Sequence, residues 1–164
     1  MFVILMGVAG SGKTTVGKLL AERLQCPFYD GDDFHPPANV AKMAAGTPLT
    51  DDDRAGWLAA LAEVIRDGLG RGESGVVACS ALKESYREVL RVDEAKVKFI
   101  YLKGSYEVIL QRMQSRKHFM KPAMLQSQFA ALEEPADVPW IDVTLDPDEI
   151  VRRIAEQIDD TAFA

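Results

Sequence analysis

The stretch that most constrains this chain is the run Gly-Val-Ala-Gly-Ser-Gly-Lys-Thr at residues 7–14. Its spacing, a glycine, four residues, then glycine, lysine and threonine, is typical of a loop that holds phosphate groups. Five apolar residues, 2–6, precede the run, and apolar residues with helical spacing follow it at positions 16, 19, 20 and 24. The motif therefore lies between a predicted strand and a predicted helix, which is the context that such a loop requires.

The chemistry of this phosphate loop follows from its residue types. Glycines can adopt positive φ angles, so successive backbone N–H groups can converge on one anion, and the positive end of the following helix adds to the attraction. Lys13 is placed to reach the β- and γ-phosphates of a nucleotide, and the Thr14 hydroxyl to bind Mg²⁺. The predicted nucleotide site is a run of consecutive residues: Gly7, Val8, Ala9, Gly10, Ser11, Gly12, Lys13, Thr14 and Thr15.

Length and composition limit the classes of protein to which the chain can belong. With 164 residues, 48% of them apolar and 27% charged, we expect one folded domain over residues 1–164. The net charge of −6 argues against a nucleic-acid partner, because a phosphate backbone attracts a basic surface. The opening apolar run is too short to span a membrane. Neither Cys26 nor Cys79 lies in a metal-binding spacing, so we expect two buried thiols in a cytoplasmic protein.

Strand-like and helix-like segments alternate along the chain. The strand-like runs are residues 2–6, 27–29, 75–79, 97–102 and 140–145. This alternation predicts a parallel sheet with helices on both faces, which is a three-layer α/β fold. In such a sheet ligands bind at the carboxyl ends of the strands, so functional residues are expected directly after them.

Two carboxylates follow the second predicted strand. Asp30 and Asp32 are separated by a glycine that keeps the turn tight, so one can face Mg²⁺ and the other a substrate hydroxyl that attacks phosphorus. An acidic turn that only caps a helix is the alternative. His35 is a lone histidine, which is as often a structural hydrogen-bonding residue as a ligand. The third strand is followed by Ser80 where many nucleotide hydrolases have an acidic metal ligand, which leaves Mg²⁺ to Thr14 and Asp30.

Positively charged side chains follow the later strands. Arg54 offers a planar guanidinium suited to a carboxylate. Lys83 and Arg87 stand four residues apart, as do Arg112 and Arg116, and this spacing places each pair on one helix face. The first pair would attract an anionic substrate, and the second would close a phosphoryl-transfer site against water. A solvated helix surface is the alternative for both pairs.

Several segments together resemble the bacterial-type gluconate kinases, in the adenylate-kinase-like branch of P-loop kinases. The resemblance is carried by the phosphate loop, residues 30–54 with Trp57 and Leu58, CSALK at 79–83 with Tyr86 and Arg87, FIYLKG at 99–104, HFM at 118–120 and SQF at 127–129. It implies ATP-dependent phosphorylation of the 6-hydroxyl of D-gluconate, giving 6-phospho-D-gluconate and ADP. It also implies Mg²⁺, a cytosolic homodimer and a five-stranded sheet with strand order 2-3-1-4-5.

The resemblance further implies roles for individual residues. Lys13, Asp32, Arg112 and Arg116 would be catalytic, and a short lid would span about residues 112–126. Whether Arg112, Arg116 or Lys117 reaches the γ-phosphate stays open. Metal binding would fall to Thr14 and Asp30. The substrate would be bound by Asp32, His35, Arg54, Ser80, Lys83 and Arg87.

Two other functions are compatible with a phosphate loop. A shikimate kinase would share the loop and the two-aspartate turn. That family is expected to have Gly-Gly-Gly after the third strand, however, where this chain has Ser-Ala-Leu at 80–82. A nucleotide-gated binding module is suggested by Asp-Gly-Leu-Gly at 67–70, which matches the pattern Asp-x-x-Gly. Glycines at this position are also typical of a helix end, and the chain has no Asn-Lys-x-Asp sequence that would recognise guanine.

Overall fold

A five-stranded parallel sheet forms the centre of the molecule. The structure, a computed structural model, describes residues 1–116 and 121–158. The strands are β1 (Phe2–Met6), β2 (Phe28–Asp30), β3 (Gly75–Ala78), β4 (Val97–Lys103) and β5 (Trp140–Asp142). Their order in the sheet is β2-β3-β1-β4-β5, which confirms the order 2-3-1-4-5.

Helices connect the strands and cover the sheet. They are α1 (Lys13–Leu24), α2 (Pro37–Ala44), α3 (Asp51–Gly70), α4 (Glu84–Leu90), α5 (Tyr106–Gln114), α6 (Pro122–Ala131) and α7 (Pro147–Gln157), with one 3₁₀ helix at Gly31–Phe34. All five residues of β1 are buried, as expected of a central parallel strand that is covered on both faces. Ile4 pairs with Val77 of β3 on one side and with Phe99 of β4 on the other. The α/β prediction is therefore confirmed.

Some boundaries differ from those predicted. β5 ends at Asp142 instead of continuing to residue 145, because the Asp142 carboxylate accepts hydrogen bonds from Thr144 N (2.8 Å) and Thr144 Oγ1 (2.7 Å) and so closes a turn. Of the two cysteines, Cys79 is buried and Cys26 is only partly buried. Burial raises the pKa of the Cys79 thiol to about 12, so this thiol is inert at neutral pH.

The segment at residues 67–70 is the last turn of α3 and packs against the sheet. A Cβ atom at Gly68 would lie 2.6 Å from Phe2 Cζ, so a glycine is needed for this close contact. Gly70, the glycine of the Asp-x-x-Gly match, is the last residue of α3, so the match lies at a helix end. Among the described residues, none of the helices is both long and apolar enough to cross a membrane.

Arg87 belongs to the framework of the fold, and the expectation that it faces a substrate is corrected. Its side chain is 1% exposed. The guanidinium donates to Ala81 O (2.8 Å), Glu133 O (3.0 Å) and Glu84 Oε2 (2.7 Å). The four-residue spacing from Lys83 was misleading because α4 begins only at Glu84, so the backbone at Lys83 is extended. The two cations consequently lie in different surroundings.

We predict that Arg87→Met lowers the free energy of unfolding by about 3 kcal/mol, because it leaves the backbone carbonyls of Ala81 and Glu133 without their guanidinium donor. Lys83→Met is the matched control. It removes a partly exposed cation from the residue just before the same helix, and it should change the free energy of unfolding by less than about 1 kcal/mol. Urea denaturation measures both values. If the two variants were equally stable, Arg87 would not be a framework residue and would again be a candidate for substrate binding.

Candidate active site

The phosphate loop has the conformation that its glycines make possible. Gly7, Gly10 and Gly12 have φ angles of 146°, 77° and 94°. A Cβ atom on Gly7 would lie 2.7 Å from Leu102 O, so the loop also depends on glycine for its approach to β4. In the described part of the chain no side chain caps α1 at Gly12, so the amides of its first turn can face an anion.

Lys13 bridges the two ends of the loop in this structure. Its ammonium donates to Gly7 O and to Val8 O, both at 2.9 Å. Burial lowers the pKa of Lys13, while the nearby carboxylates of Asp32 and Asp30 act in the opposite direction. The ammonium is thus held beside the amides that would bind a phosphate.

Asp30 and Asp32 have different surroundings although only one residue separates them. Asp30 Oδ1 accepts from the Asp32 backbone N–H at 3.1 Å and caps the 3₁₀ helix, while Asp30 Oδ2 accepts from Thr14 Oγ1 at 3.2 Å. The Asp32 side chain is 85% exposed. Gly31 makes this turn possible, because a Cβ there would lie 2.5 Å from Ala78 O. Asp30 therefore both caps a helix and faces Thr14, and Asp32 is left open to a ligand.

A cleft of about 210 Å³ is lined by the phosphate loop and by the turn that carries Asp30 and Asp32, which we call the aspartate turn. It brings together the phosphate loop, the two aspartates and residues from later in the chain. The lining residues are Ala9, Gly10, Gly12, Lys13, Thr14, Thr15, Asp30, Asp32, Met43, Ala78, Ser80, Arg116 and Gln128. The structure thus places six of the nine predicted nucleotide-binding residues around one space with Asp32 and Ser80, whereas Gly7, Val8 and Ser11 do not line it.

A second cavity of about 250 Å³ adjoins the loop, and the two predicted lid arginines divide between the cavities. Arg112 lines only the second cavity and donates to Val143 O, whereas Arg116 lines both. The pair does not share a helix face, because α5 ends at Gln114. Lys117 and the triplet at 118–120 lie outside the described residues, so the predicted lid is represented by the end of α5 and the start of α6.

His35 is packed beside Asp32 and is held by two neighbours. Its ring stacks on Trp57 with centroids 4.2 Å apart, and its Nδ1 lies 3.3 Å from Asn39 Nδ2. Because Asn39 Nδ2 also donates to Asp53 O at 2.7 Å, this nitrogen is the donor and His35 Nδ1 is the acceptor. Burial lowers the pKa of His35, so the neutral ring carries its proton on Nε2, which lies 3.8 Å from Asp32 Oδ1.

The two remaining predicted cations form a separate group, which we call the Asp51 cluster: Asp51, Arg54, Lys83 and Tyr86. Lys83 Nζ donates to Asp51 Oδ1 at 2.9 Å, and the Tyr86 hydroxyl donates to the same oxygen. Arg54 donates to Tyr86 Oη at 3.2 Å and to Leu49 O at 2.6 Å. The cluster adjoins the aspartate turn, since Asn39 contacts both His35 and the backbone oxygen of Asp53 in the first turn of α3.

Sequence reasoning missed the roles of two residues. Asp51 takes its partners from α4 and from the residue before it, and spacing along the chain does not reveal these contacts. Gln128 on α6 accepts a hydrogen bond from the backbone N–H of Ala9 at 2.7 Å and so ties α6 to the phosphate loop. The only signal for Gln128 was its place in the SQF triplet of the resemblance.

The residues present fit Mg²⁺ although they do not form a complete metal cage. Within residues 1–116 and 121–158, no group of three or more His, Cys, Asp or Glu side chains could hold a metal ion. The Thr14 hydroxyl and the Asp30 carboxylate nevertheless lie 3.2 Å apart beside the loop. Mg²⁺ in nucleotide sites takes one or two protein oxygens together with phosphates and water, which matches this pair.

The chain is similar over most of its length to known kinases. The model of the shikimate kinase family matches residues 9–159. The chain is 45% identical over 155 residues to the thermosensitive gluconokinase of Escherichia coli (strain K12), over 94% of this chain and 83% of that protein. It is 49% identical over 137 residues to the gluconokinase of Gluconobacter oxydans (strain 621H), over 83% of this chain and 77% of that protein.

A solved structure gives the same result. The crystal structure of a gluconokinase from Sinorhizobium meliloti 1021 superimposes with a TM-score of 0.85 at 44% identity, and the match covers 94% of this chain and 93% of that one. The chain therefore belongs to the gluconokinase family, a group of nucleotide-using kinases whose fold the shikimate kinase model also describes.

Proposed function

We propose that the protein transfers the γ-phosphoryl group of ATP to the 6-hydroxyl of D-gluconate, giving 6-phospho-D-gluconate and ADP. The observation that carries this proposal is the cleft in which the phosphate loop faces the exposed carboxylate of Asp32. The Asp51 cluster would add cations on the acceptor side, because Asn39 joins the first turn of α3 to His35 beside Asp32. Such cations suit a substrate that bears both hydroxyls and a carboxylate. Membership of the gluconokinase family supports the choice of acid.

The nucleotide would occupy both cavities. Its phosphates would lie on the loop amides, and Lys13 would exchange the carbonyls of Gly7 and Val8 for phosphate oxygens. The adenine base of ATP would lie in the second cavity, whose walls include the apolar side chains of Val143, Leu145 and Ile150. Arg112 and Arg116 border this space, and Arg116 also borders the cleft, so it is the better placed of the two to contact the transferred group.

Thr14 and Asp30 would hold Mg²⁺ between the loop and the aspartate turn. When bound there, Mg²⁺ would supply positive charge that offsets the negative charge of the phosphates. Asp30 can serve there without leaving its cap position, because one carboxylate oxygen caps the 3₁₀ helix and the other points to Thr14.

Asp32 would orient the hydroxyl that attacks phosphorus. As the new O–P bond forms, the bond from the γ-phosphorus to the ADP oxygen breaks in line with it, and the hydroxyl proton passes to the Asp32 carboxylate. His35 Nε2 lies 3.8 Å from this carboxylate and would donate a hydrogen bond to the sugar acid bound beside it. Arg54 and Lys83 would bind the carboxylate of the sugar acid, and Ser80 would contact its hydroxyls from the cleft wall.

Further proposals follow from the resemblance to this family. We propose a cytoplasmic homodimer that acts on a small molecule, with neither nucleic acid nor a membrane as partner. The acidic net charge of −6 supports the exclusion of nucleic acid. We also propose that residues 1–164 form one kinase domain.

ADP release with a panel of acceptors tests the proposed function. We expect release with D-gluconate in the presence of ATP and Mg²⁺, and little or none with shikimate or with neutral glucose. Release with shikimate alone would favour the alternative kinase. Nucleotide binding with no acceptor-dependent release would favour a binding module and overturn the proposal.

Replacement of Asp32 tests the mechanism. We predict that Asp32→Asn lowers kcat about 10²–10⁴-fold, because the hydroxyl loses the group that orients it and accepts its proton. The dissociation constant for ATP should change little. Asp33→Asn, at the exposed neighbouring position, is the matched control and should retain wild-type turnover. Turnover by Asp32→Asn at the wild-type rate would remove this residue from the mechanism.

A further inference from the structure

The cations proposed to bind the sugar acid already have partners within the protein. Lys83 Nζ lies 2.9 Å and 3.2 Å from the two carboxylate oxygens of Asp51. The Tyr86 hydroxyl donates to one of these oxygens, and Arg54 Cζ lies 5.5 Å from the centroid of the Tyr86 ring. The Asp51 carboxylate thus occupies the position among these groups that a bound carboxylate would take.

The arrangement can be opened by a ligand. The Asp51 side chain is 64% exposed and the Lys83 side chain 30% exposed, so the ion pair lies at the surface. Exposed pairs of this kind contribute little to stability, because water solvates the separated charges nearly as well. The helix that carries Asp51 does not depend on the pair, since Thr50 and Asp53 form its capping box and Asp53 is bound by Lys42 at 2.8 Å.

We propose that Asp51 is an internal occupant of the sugar-acid site, which holds Lys83 and Tyr86 in the empty enzyme and is displaced when the substrate carboxylate binds. The inference rests on the proposed function and goes beyond it by assigning an internal competitor to the sugar-acid site. Displacement of Asp51 reduces the affinity for every anion. A simple anion therefore binds weakly, and a ligand whose hydroxyls also reach the Asp32 side of the cleft has further contacts that offset the loss.

The test compares Asp51→Asn with Asp52→Asn. Both acids lie in the first turn of α3 and both side chains are exposed, so the two substitutions remove the same helix-dipole interaction and the same net charge. Of these two acids, Asp51 is the one that contacts Lys83 and Tyr86. The dissociation constant for D-gluconate is measured by calorimetry with the full chain, and KM by ADP release. Thermal unfolding verifies that both variants are folded.

We expect Asp51→Asn to tighten gluconate binding about two- to fivefold, the range that corresponds to an exposed ion pair, and Asp52→Asn to leave it unchanged. Equal tightening in both variants would indicate a general charge effect and overturn the proposal. Weaker binding by Asp51→Asn would overturn it as well, because it would mean that Asp51 orients Lys83 for the substrate. A wild-type protein that neither binds nor phosphorylates gluconate would instead overturn the proposed function, on which this inference rests.

Discussion

The closed phosphate loop is the constraint on which the rest of the site depends. Lys13 joins the carbonyls of Gly7 and Val8, Gly7 approaches β4 too closely for any side chain, and Gln128 holds the amide of Ala9 from α6. The loop is therefore fixed from the centre of the sheet and from a helix near the other end of the chain. Preorganised amides need little reordering when an anion arrives, which is how a loop of this kind gains affinity.

The acceptor side is built differently, as a chain of side-chain contacts. Asp32 lies beside His35, and His35 stacks on Trp57. Trp57 in turn donates to Gly31 O at 2.7 Å, and Gly31 lies in the aspartate turn next to Asp32. The Asp51 cluster extends this chain of contacts away from the cleft. One of its two cations, Lys83, is paired with the carboxylate of Asp51, and Arg54 donates to a backbone carbonyl and to the Tyr86 hydroxyl. Substrate binding there would be an exchange of partners.

The sequence predicted those features whose residues are neighbours along the chain. The phosphate loop could be predicted because its glycines, Lys13 and Thr14 are consecutive, and the aspartate turn because it directly follows a strand. Two predictions placed a pair of cations on one helix face, and both were wrong for the same reason. A helix boundary lies between Lys83 and Arg87, and another between Arg112 and Arg116. Lys83 precedes α4 and Arg116 follows α5, so neither shares a helix face with its partner. The contacts of Asp51 and Gln128 depend on how distant elements pack, which local patterns do not specify.

The most direct test of the account is the dissociation constant for ATP with Mg²⁺ in the wild-type protein, in Lys13→Met and in Lys18→Met. Lys18 is an exposed cation on the same helix and serves as the matched control. If the loop closed by Lys13 holds the nucleotide phosphates, Lys13→Met should weaken binding about ten- to a hundredfold, as expected for the loss of a charged hydrogen bond, and Lys18→Met should not weaken it. Equal affinities in all three proteins, or no binding by the wild type, would contradict the account.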